Sequence, residues 1–188
     1  YHGDRTMTSK LKTDVLETVS GSGTIALTNQ LSGMTDASMP SGSVIQVVNF
    51  QTGNAVTTTA TRGLNDSIPD AGEGAEFFTL SITPTSATSK LKIDVHFQGH
   101  HSASSVCVVW LHQDSGSYAI AAGKTETTAD TDRCISFSHY MTAGTTNATT
   151  FKVRGGGNNA GTFAMNGRSA RVYGGKLSSS ITITEIKG

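Results

Sequence analysis

Between Ser89 and Gln98 apolar and polar residues alternate without a break. Leu91, Ile93, Val95 and Phe97 take every second position, and Lys90, Lys92, Asp94, His96 and Gln98 fill the places between. Successive side chains of a strand point to opposite faces, so the stretch predicts a strand with one dry face and one wet face. Phe78 to Ile82 alternates in the same way. Thr83 to Thr88 predicts a turn between the two, because Pro84 fixes its own φ and cannot donate to a ladder. The pair is expected to nucleate the core face of one sheet.

The same pattern extends through the chain. Val44 to Phe50 is apolar on both faces and predicts a central strand, with the Thr-rich Ala55 to Ala60 as its hairpin partner. Thr61 to Gly74 reads as a loop and Gly99 to Ser104 as a turn. Val106 to Leu111 is a near-continuous apolar run, the pattern of a strand buried on both sides. Tyr118 to Ala122 is a short strand, Glu126 to Asp132 a polar loop, and Cys134 to Met141 an alternating strand. Thr149 to Val153 follows, then a glycine-rich loop from Gly155 to Gly161, a brief strand at Thr162 to Met165 and a long connection from Asn166 to Ser180. Ile181 to Ile186 closes the chain. Eight to ten short strands with polar turns and no helix in the main body predict an all-β fold, a jelly-roll-like antiparallel β-sandwich.

The N-terminal part has a different character. Met7 onward reads as a natural start, with Tyr1 to Thr6 as an upstream extension. Leu11, Val15, Leu16 and Val19 fit one side of a short helix, and Lys10, Lys12 and Asp14 fit an extended arm equally well. Gly21 to Asn29 is a glycine turn with a short alternating piece, and Leu31 to Gly42 is a connector rich in turn residues. The boundary is placed at Gly42: residues 1–42 form an N-terminal arm with its linker, and 43–188 form a β-sandwich domain. The arm has too few apolar side chains to fold alone, and contact with other chains is the simplest remedy.

Composition agrees with this reading. Of 188 residues, 28 are Thr, 22 Ser and 21 Gly, while only 15% are charged. That balance favours pleated strands and polar turns over helices. The formal net charge is zero, so nothing steers the chain to nucleic acid. No apolar run reaches the roughly 20 residues of a membrane helix, and no membrane insertion is expected. The first residues are polar and lack an apolar segment, so no secretory signal is expected. Cys107 and Cys134 sit in apolar strand-like runs. They are expected to be buried free thiols, ahead of a disulfide, because a chain of this length needs no staple.

Three passages together resemble a known family. Lys10 to Glu17 followed by Gly21 to Leu27, then Met39 to Val48, then Ser81 to Ile93, resemble the short fibre and tail-associated proteins of tailed bacteriophages, especially aquatic ones. The ending Ile181 to Ile186 also fits. The resemblance implies a virion structural protein and a homotrimer with a β-sandwich head at 43–188, residues 1–42 serving as an attachment and trimerisation arm joined to other virion proteins of tail or capsid. It implies host-surface adhesion by a fibre or fibre tip. The stretch from Gly99 to Lys176 matches only in style and is expected to vary with the host. The family supplies no fixed set of binding residues.

Candidate chemistry is therefore weighed from the residues themselves. His96, His100, His101, His112 and His139 could supply metal ligands, since imidazole is the commonest one, but polar-face positions on strands explain them better. Glu126, Asp130 and Asp132 could offer oxygens to calcium, yet the spacing of a calcium loop is missing, and a solvated acidic loop is favoured. Neither a metal nor a cofactor is expected. No serine lies in a Gly-x-Ser-x-Gly elbow, and Asp94, Asp114, Glu126, Asp130 and Asp132 cannot be sorted into a catalytic pair, so an enzyme is not expected. The sequons at Asn65 and Asn147 carry little weight. Arg154, Asn158, Asn159, Arg168, Arg171 and Tyr173 suit recognition of a host glycan or surface protein, through forked hydrogen bonds, amide donors and acceptors, and a stacking face. The rival readings are a capsid decoration or head-fibre protein, a surface-polysaccharide depolymerase, and a trimeric signalling head of cytokine-like or collagen-tip-like type.

Overall fold

The computed structural model describes residues 39–188; the readings made for residues 1–38, from the Met7 start to the arm and its turn, lie outside them. Ten strands form in chain order: β1 (Val44–Thr52), β2 (Val56–Thr58), β3 (Ala75–Ile82), β4 (Lys90–His101), β5 (Ser105–Gln113), β6 (Ala121–Thr127), β7 (Thr131–Thr142), β8 (Thr149–Gly157), β9 (Phe163–Met165) and β10 (Ser179–Ile186). All pair antiparallel. One sheet has the order β1-β10-β4-β9-β2, with β7 on the other edge of β4; the second has the order β3-β8-β5-β6. The fold is an all-β, jelly-roll-like sandwich. Among the described residues the one helical element is a 3-10 turn at Tyr173–Gly175.

β4 has the expected register. Leu91, Ile93, Val95 and Phe97 are buried, while Lys92 and Asp94 lie on the outer face and pair at 2.7 Å. Opposite layers meet through aromatic rings. Phe97 lies edge-on to Phe77 at 5.0 Å between centroids and stacked on Phe163 at 5.5 Å. Phe77 and Phe78 both reach the core because β3 carries a bulge between Glu76 and Phe78.

Several sequence readings need correction. β3 and β4 belong to different sheets, because the Thr83–Thr88 segment arches across the sandwich instead of closing a hairpin. Alternation tells which face of each strand is dry. Here the two dry faces look at each other. β1 is an edge strand, not a central one: it pairs only with β10, and Val44 and Val47 are 52% and 55% exposed. Its expected partner β2 pairs with β9 instead. The presumed polar loop before Cys134 is mostly ladder. β6 runs to Thr127 and β7 starts at Thr131, leaving a tight turn with Asp130 at φ 58°. On an edge strand such as β6, polar side chains face water without interrupting the ladder. Cys107 and Cys134 are both free, but only Cys107 is buried, which pushes its thiol up to about 11; Cys134 is exposed on β7.

The glycine run expected as a loop from Gly155 is strand at its start, since β8 continues through Gly157. A Cβ on Gly157 would sit 2.3 Å from His101 Nε2, and one on Gly156 2.8 Å from the Ala60 carbonyl oxygen. The run is a strand against which other segments pack too closely for any side chain.

Two polar groups in the interior fix the ends of the sheets. Glu185 has no exposed surface. Burial raises its carboxyl pKa, but hydrogen bonds from Gln46, Ser89 and Thr85 outweigh that and hold it below the ordinary glutamate value. Arg62, 4% exposed, donates to the carbonyls of Gly63 and Ser67 and to Asn65 Oδ1, and pairs with Glu73 at 2.9 Å. It gathers the whole Thr61–Gly74 segment around one guanidinium, so that stretch is an organised surface layer.

Candidate functional site

Four connections meet beyond the C-terminal end of β4: the Ser102–Ser104 turn, the Thr128–Asp130 turn, the Asn158–Thr162 loop and the start of the connection after β9. They are laced together by backbone and side-chain bonds. Ser102 N–H donates to the Thr162 carbonyl and Thr162 N–H to Ser102 Oγ. Asp130 N–H donates to the His101 carbonyl, and Ala129 N–H to Ser104 Oγ. A recess of about 330 Å³ opens among them, lined by Thr57, His100, Ser102, Asp130, Thr162 and Arg168, with Ser169 at its margin.

His100 is the floor of this recess. It lies on the outer face of β4, in line with Lys92, Asp94, His96 and Gln98, yet is only 4% exposed. β9 pairs beside it in the same sheet, while the turns that carry Ser102 and Asp130 and the loops that carry Thr162 and Arg168 gather around its side chain. Neither ring nitrogen makes a hydrogen bond, and Nε2 stands 3.5 Å from Asp130 Oδ1. Arg168 closes the rim. Its guanidinium donates to the Asp130 carbonyl at 2.8 Å and lies 4.0 Å from the Asp130 carboxylate, with half of the side chain exposed.

The six residues proposed for recognition do not form one cluster. Arg168 alone lines the recess. Asn158 and Asn159 are at the same end but hold the loop itself: Asn158 Oδ1 accepts from Val106 N–H and Ser105 Oγ, and Asn159 Nδ2 donates to the Ser104 carbonyl. Arg154 is on strand β8, not in a loop. Its guanidinium is spent on the carbonyls of Glu73 and Gly74 and on the Glu76 carboxylate at 3.5 Å. Arg171 and Tyr173 lie on the flank, where the 3-10 turn presses Gly175 against Gly53 so closely that no Cβ fits on Gly53. Tyr173 is 81% exposed.

The sequence places His100 among polar-face histidines and gives no sign of its burial. Segments distant in sequence, which carry Asp130, Thr162 and Arg168, gather over it and make it a buried group. Composition makes Asp130 one member of an acidic loop, whereas the tight turn aims it at His100.

One other polar grouping stands apart from the recess. On the open face of the first sheet, Cys134 Sγ is 3.4 Å from His96 Nδ1, and His96 bonds Ser136 Oγ at 3.0 Å. A thiol beside an imidazole could in principle be activated. Among the described residues no group of three or more His, Cys, Asp or Glu could hold a metal ion.

Comparison with known proteins gives no match to a family model, and no curated protein matches the chain. Solved structures give weak likenesses. An Eiger TNF from S. frugiperda aligns at 10% identity and a TM-score of 0.44, over 76% of this chain and 92% of that one. The infectious bursal disease virus Gx strain aligns at 13% and 0.35, over 77% of this chain and 38% of that one. The enzymatically active domain of tailspike protein 4 from Bacteriophage CBA120 aligns at 16% and 0.28, over 66% and 19%. The chain thus spans well under half of both viral proteins. At these scores the likenesses carry no argument about function.

Proposed function

We propose that the protein is a non-enzymatic virion protein of a tailed bacteriophage, a trimeric fibre head or tip whose distal loops contact the host surface. One observation carries this reading: the two ends of the head differ. The described chain enters beside its own C-terminus, where Gly42 N–H donates to the Lys187 carbonyl and Val44 pairs with Ile186. The recess and its loops lie at the far end of β4. Twelve strand residues, at roughly 3.3 Å each, separate these ends by about 40 Å. A head tethered at one end presents the other outward, and loops on a rigid sandwich are where recognition concentrates. Attachment to tail or capsid proteins through residues 1–42 belongs to the same proposal.

Trimer contact falls to the outer face of the first sheet. Val47, Thr184, Lys92 and Tyr140 form one transverse row across β1, β10, β4 and β7, with Val44, Ile186, Lys90 and Thr142 in the next. Val44, Val47 and Tyr140 are each more than half exposed, and the nearby charges of Lys92 and Asp94 neutralise each other. Such a face suits further copies of the same chain. Light scattering on the full chain should give about three times its 19.6 kDa mass, and Val47→Asp with Tyr140→Asp should reduce it to the monomer mass. A monomeric parent protein at micromolar concentration overturns the trimer.

Adhesion is tested with labelled protein on host cells. Replacing Arg168, Arg171 and Tyr173 together by Ala should lower cell binding by at least about tenfold, because three weak sites per trimer lose their shared avidity. The melting temperature should hardly move, since all three side chains are exposed. Unchanged cell binding rejects adhesion by these loops and favours a capsid decoration role.

A further inference from the structure

We infer that residues 61–74 and 114–120 form an acid-sensitive cover on the outer face of the second sheet, released when His112 takes up a proton. The two segments are stitched to each other. Ala71 N–H donates to the Ser117 carbonyl at 3.0 Å and Ala119 N–H to the Pro69 carbonyl at 2.8 Å, and Asp70 pairs with Tyr118 as an isolated antiparallel bridge. Beneath them lie Trp110 and His112 of β5. Both alternate with the core residues Val109 and Leu111, so they point away from the core, yet neither is exposed by more than 1%. A Cβ on Gly74 would collide with the Trp110 ring, so closely does the cover sit.

His112 tolerates this burial only as a neutral ring. Its Nδ1 lies 3.3 Å from the Gly116 carbonyl oxygen. A carbonyl can only accept, so Nδ1 carries the proton of the neutral ring. Nε2 is buried without a partner. In the neutral ring that leaves one bare lone pair. In the protonated ring it leaves a charged N–H donor with nothing to receive it, which is a far larger cost. Opening of the cover lets water solvate that donor.

The charges facing the ring add to that cost. Lys152 is its direct cross-strand neighbour on β8, and Arg154 follows on the same strand. Both line a small cavity of about 120 Å³ beside His112, together with Asp114. Asp70 faces the ring from the cover. The carboxylates of this neighbourhood are already engaged. Asp114 Oδ1 accepts from Thr150 N–H, Asp70 Oδ1 accepts from Gly72 N–H, and Glu76 on β3 is shared between Arg154 at 3.5 Å and Lys152 at 4.0 Å. Burial holds the His112 pKa below the ordinary histidine value; the Gly116 bond opposes this, Arg154 and Lys152 add to it, and Asp70 opposes it. A pKa lowered in the covered state sets the sign. The stabilisation is complete above the ordinary value of 6.5 and is lost as the pH falls below it and through the lowered one.

Native-state hydrogen exchange, read by NMR on the full chain, provides the test. The amides of Ala71 and Ala119 report the cover, and those of the β4–β10 ladder in the other sheet serve as control. Between about pH 7.5 and about pH 5.5, protection of the two cover amides should fall at least about threefold after correction for the intrinsic exchange rate, while the ladder keeps its own. That window lies above the ordinary range of the carboxylates, so His112 is the group it isolates. In His112→Gln the protection of the cover should no longer depend on pH. Lys152→Gln removes a cation that faces the ring, from a side chain 37% exposed, and should make the fall smaller. If His112→Gln does not fold, Lys152→Gln decides alone. Constant protection of the two amides, an equal fall in the β4–β10 ladder, or a fall that the substitutions leave unchanged overturns the inference.

Discussion

Phe97→Ala should destabilise the head by about 3–5 kcal/mol, the range for emptying a buried aromatic site. Phe97 has no exposed surface and is the ring on which the two layers converge. Phe77 meets it edge-on at 5.0 Å, Phe163 stacks on it at 5.5 Å, and Phe78 lies parallel at 6.4 Å. Those neighbours belong to β3 and β9, which come from opposite sheets, so the cavity cannot collapse without moving one sheet against the other. Urea unfolding at fixed protein concentration should show a lower midpoint with an unchanged slope. Phe97→Leu refills most of the volume and should recover more than half of the loss. A loss below about 1 kcal/mol for the Ala variant would mean that the aromatic cluster does not hold the layers together.

How much of this was readable beforehand depends on the distance over which each fact is decided. The alternation of β4 is a local property, and it correctly predicted which of its side chains are dry. Sheet membership is not local. Val44 to Phe50 looks like a buried strand because both of its faces are apolar, yet its one partner is β10, at the other end of the chain. Its outer valines are exposed, and hydrophobicity alone cannot distinguish such a face from a core. Ala55 to Ala60 was paired with its nearest neighbour, whereas β2 and β9 meet across more than a hundred residues. The same distance hid the recess. His100 gains its burial from the segments that carry Asp130, Thr162 and Arg168, and Asp130 gains its direction from a turn at positive φ that composition made look like a longer loop. Arg154 shows the opposite error. A long cation beside three glycines suggested a mobile recognition loop, but the glycines admit close packing and the cation is used up on backbone carbonyls.

Asn166 should prove the most sensitive polar residue. It follows β9 directly, has no exposed surface and sits at φ 58°. Its Nδ2 donates to the carbonyls of Thr52 and Asn54, its Oδ1 accepts from Ser179 Oγ, and its N–H donates to the Gln98 carbonyl. Ser179 Oγ in turn accepts from Gln98 N–H. One amide therefore ties the ends of β1, β9 and β10 to the middle of β4. Asn166→Ala removes the amide, leaves those partners buried without it, and puts a methyl group in a left-handed conformation. Each abandoned group costs about 1–3 kcal/mol, and the backbone adds roughly 1–2. Partial relaxation lets water reach some of them, so a net loss of about 3–4 kcal/mol is expected. Asn166→Gly separates the contributions, since glycine accepts the positive φ without strain. It should recover only the backbone part, about 1 kcal/mol, and remain well below the parent protein in urea. Asn166→Asp keeps the acceptor for Ser179 but turns the two donor bonds into repulsions with carbonyl oxygens, and it should be no better than Ala near neutral pH. If glycine restored full stability, the strand ends would be held by backbone conformation alone. The buried amide network would then have no part in joining the distal loops to the sheet.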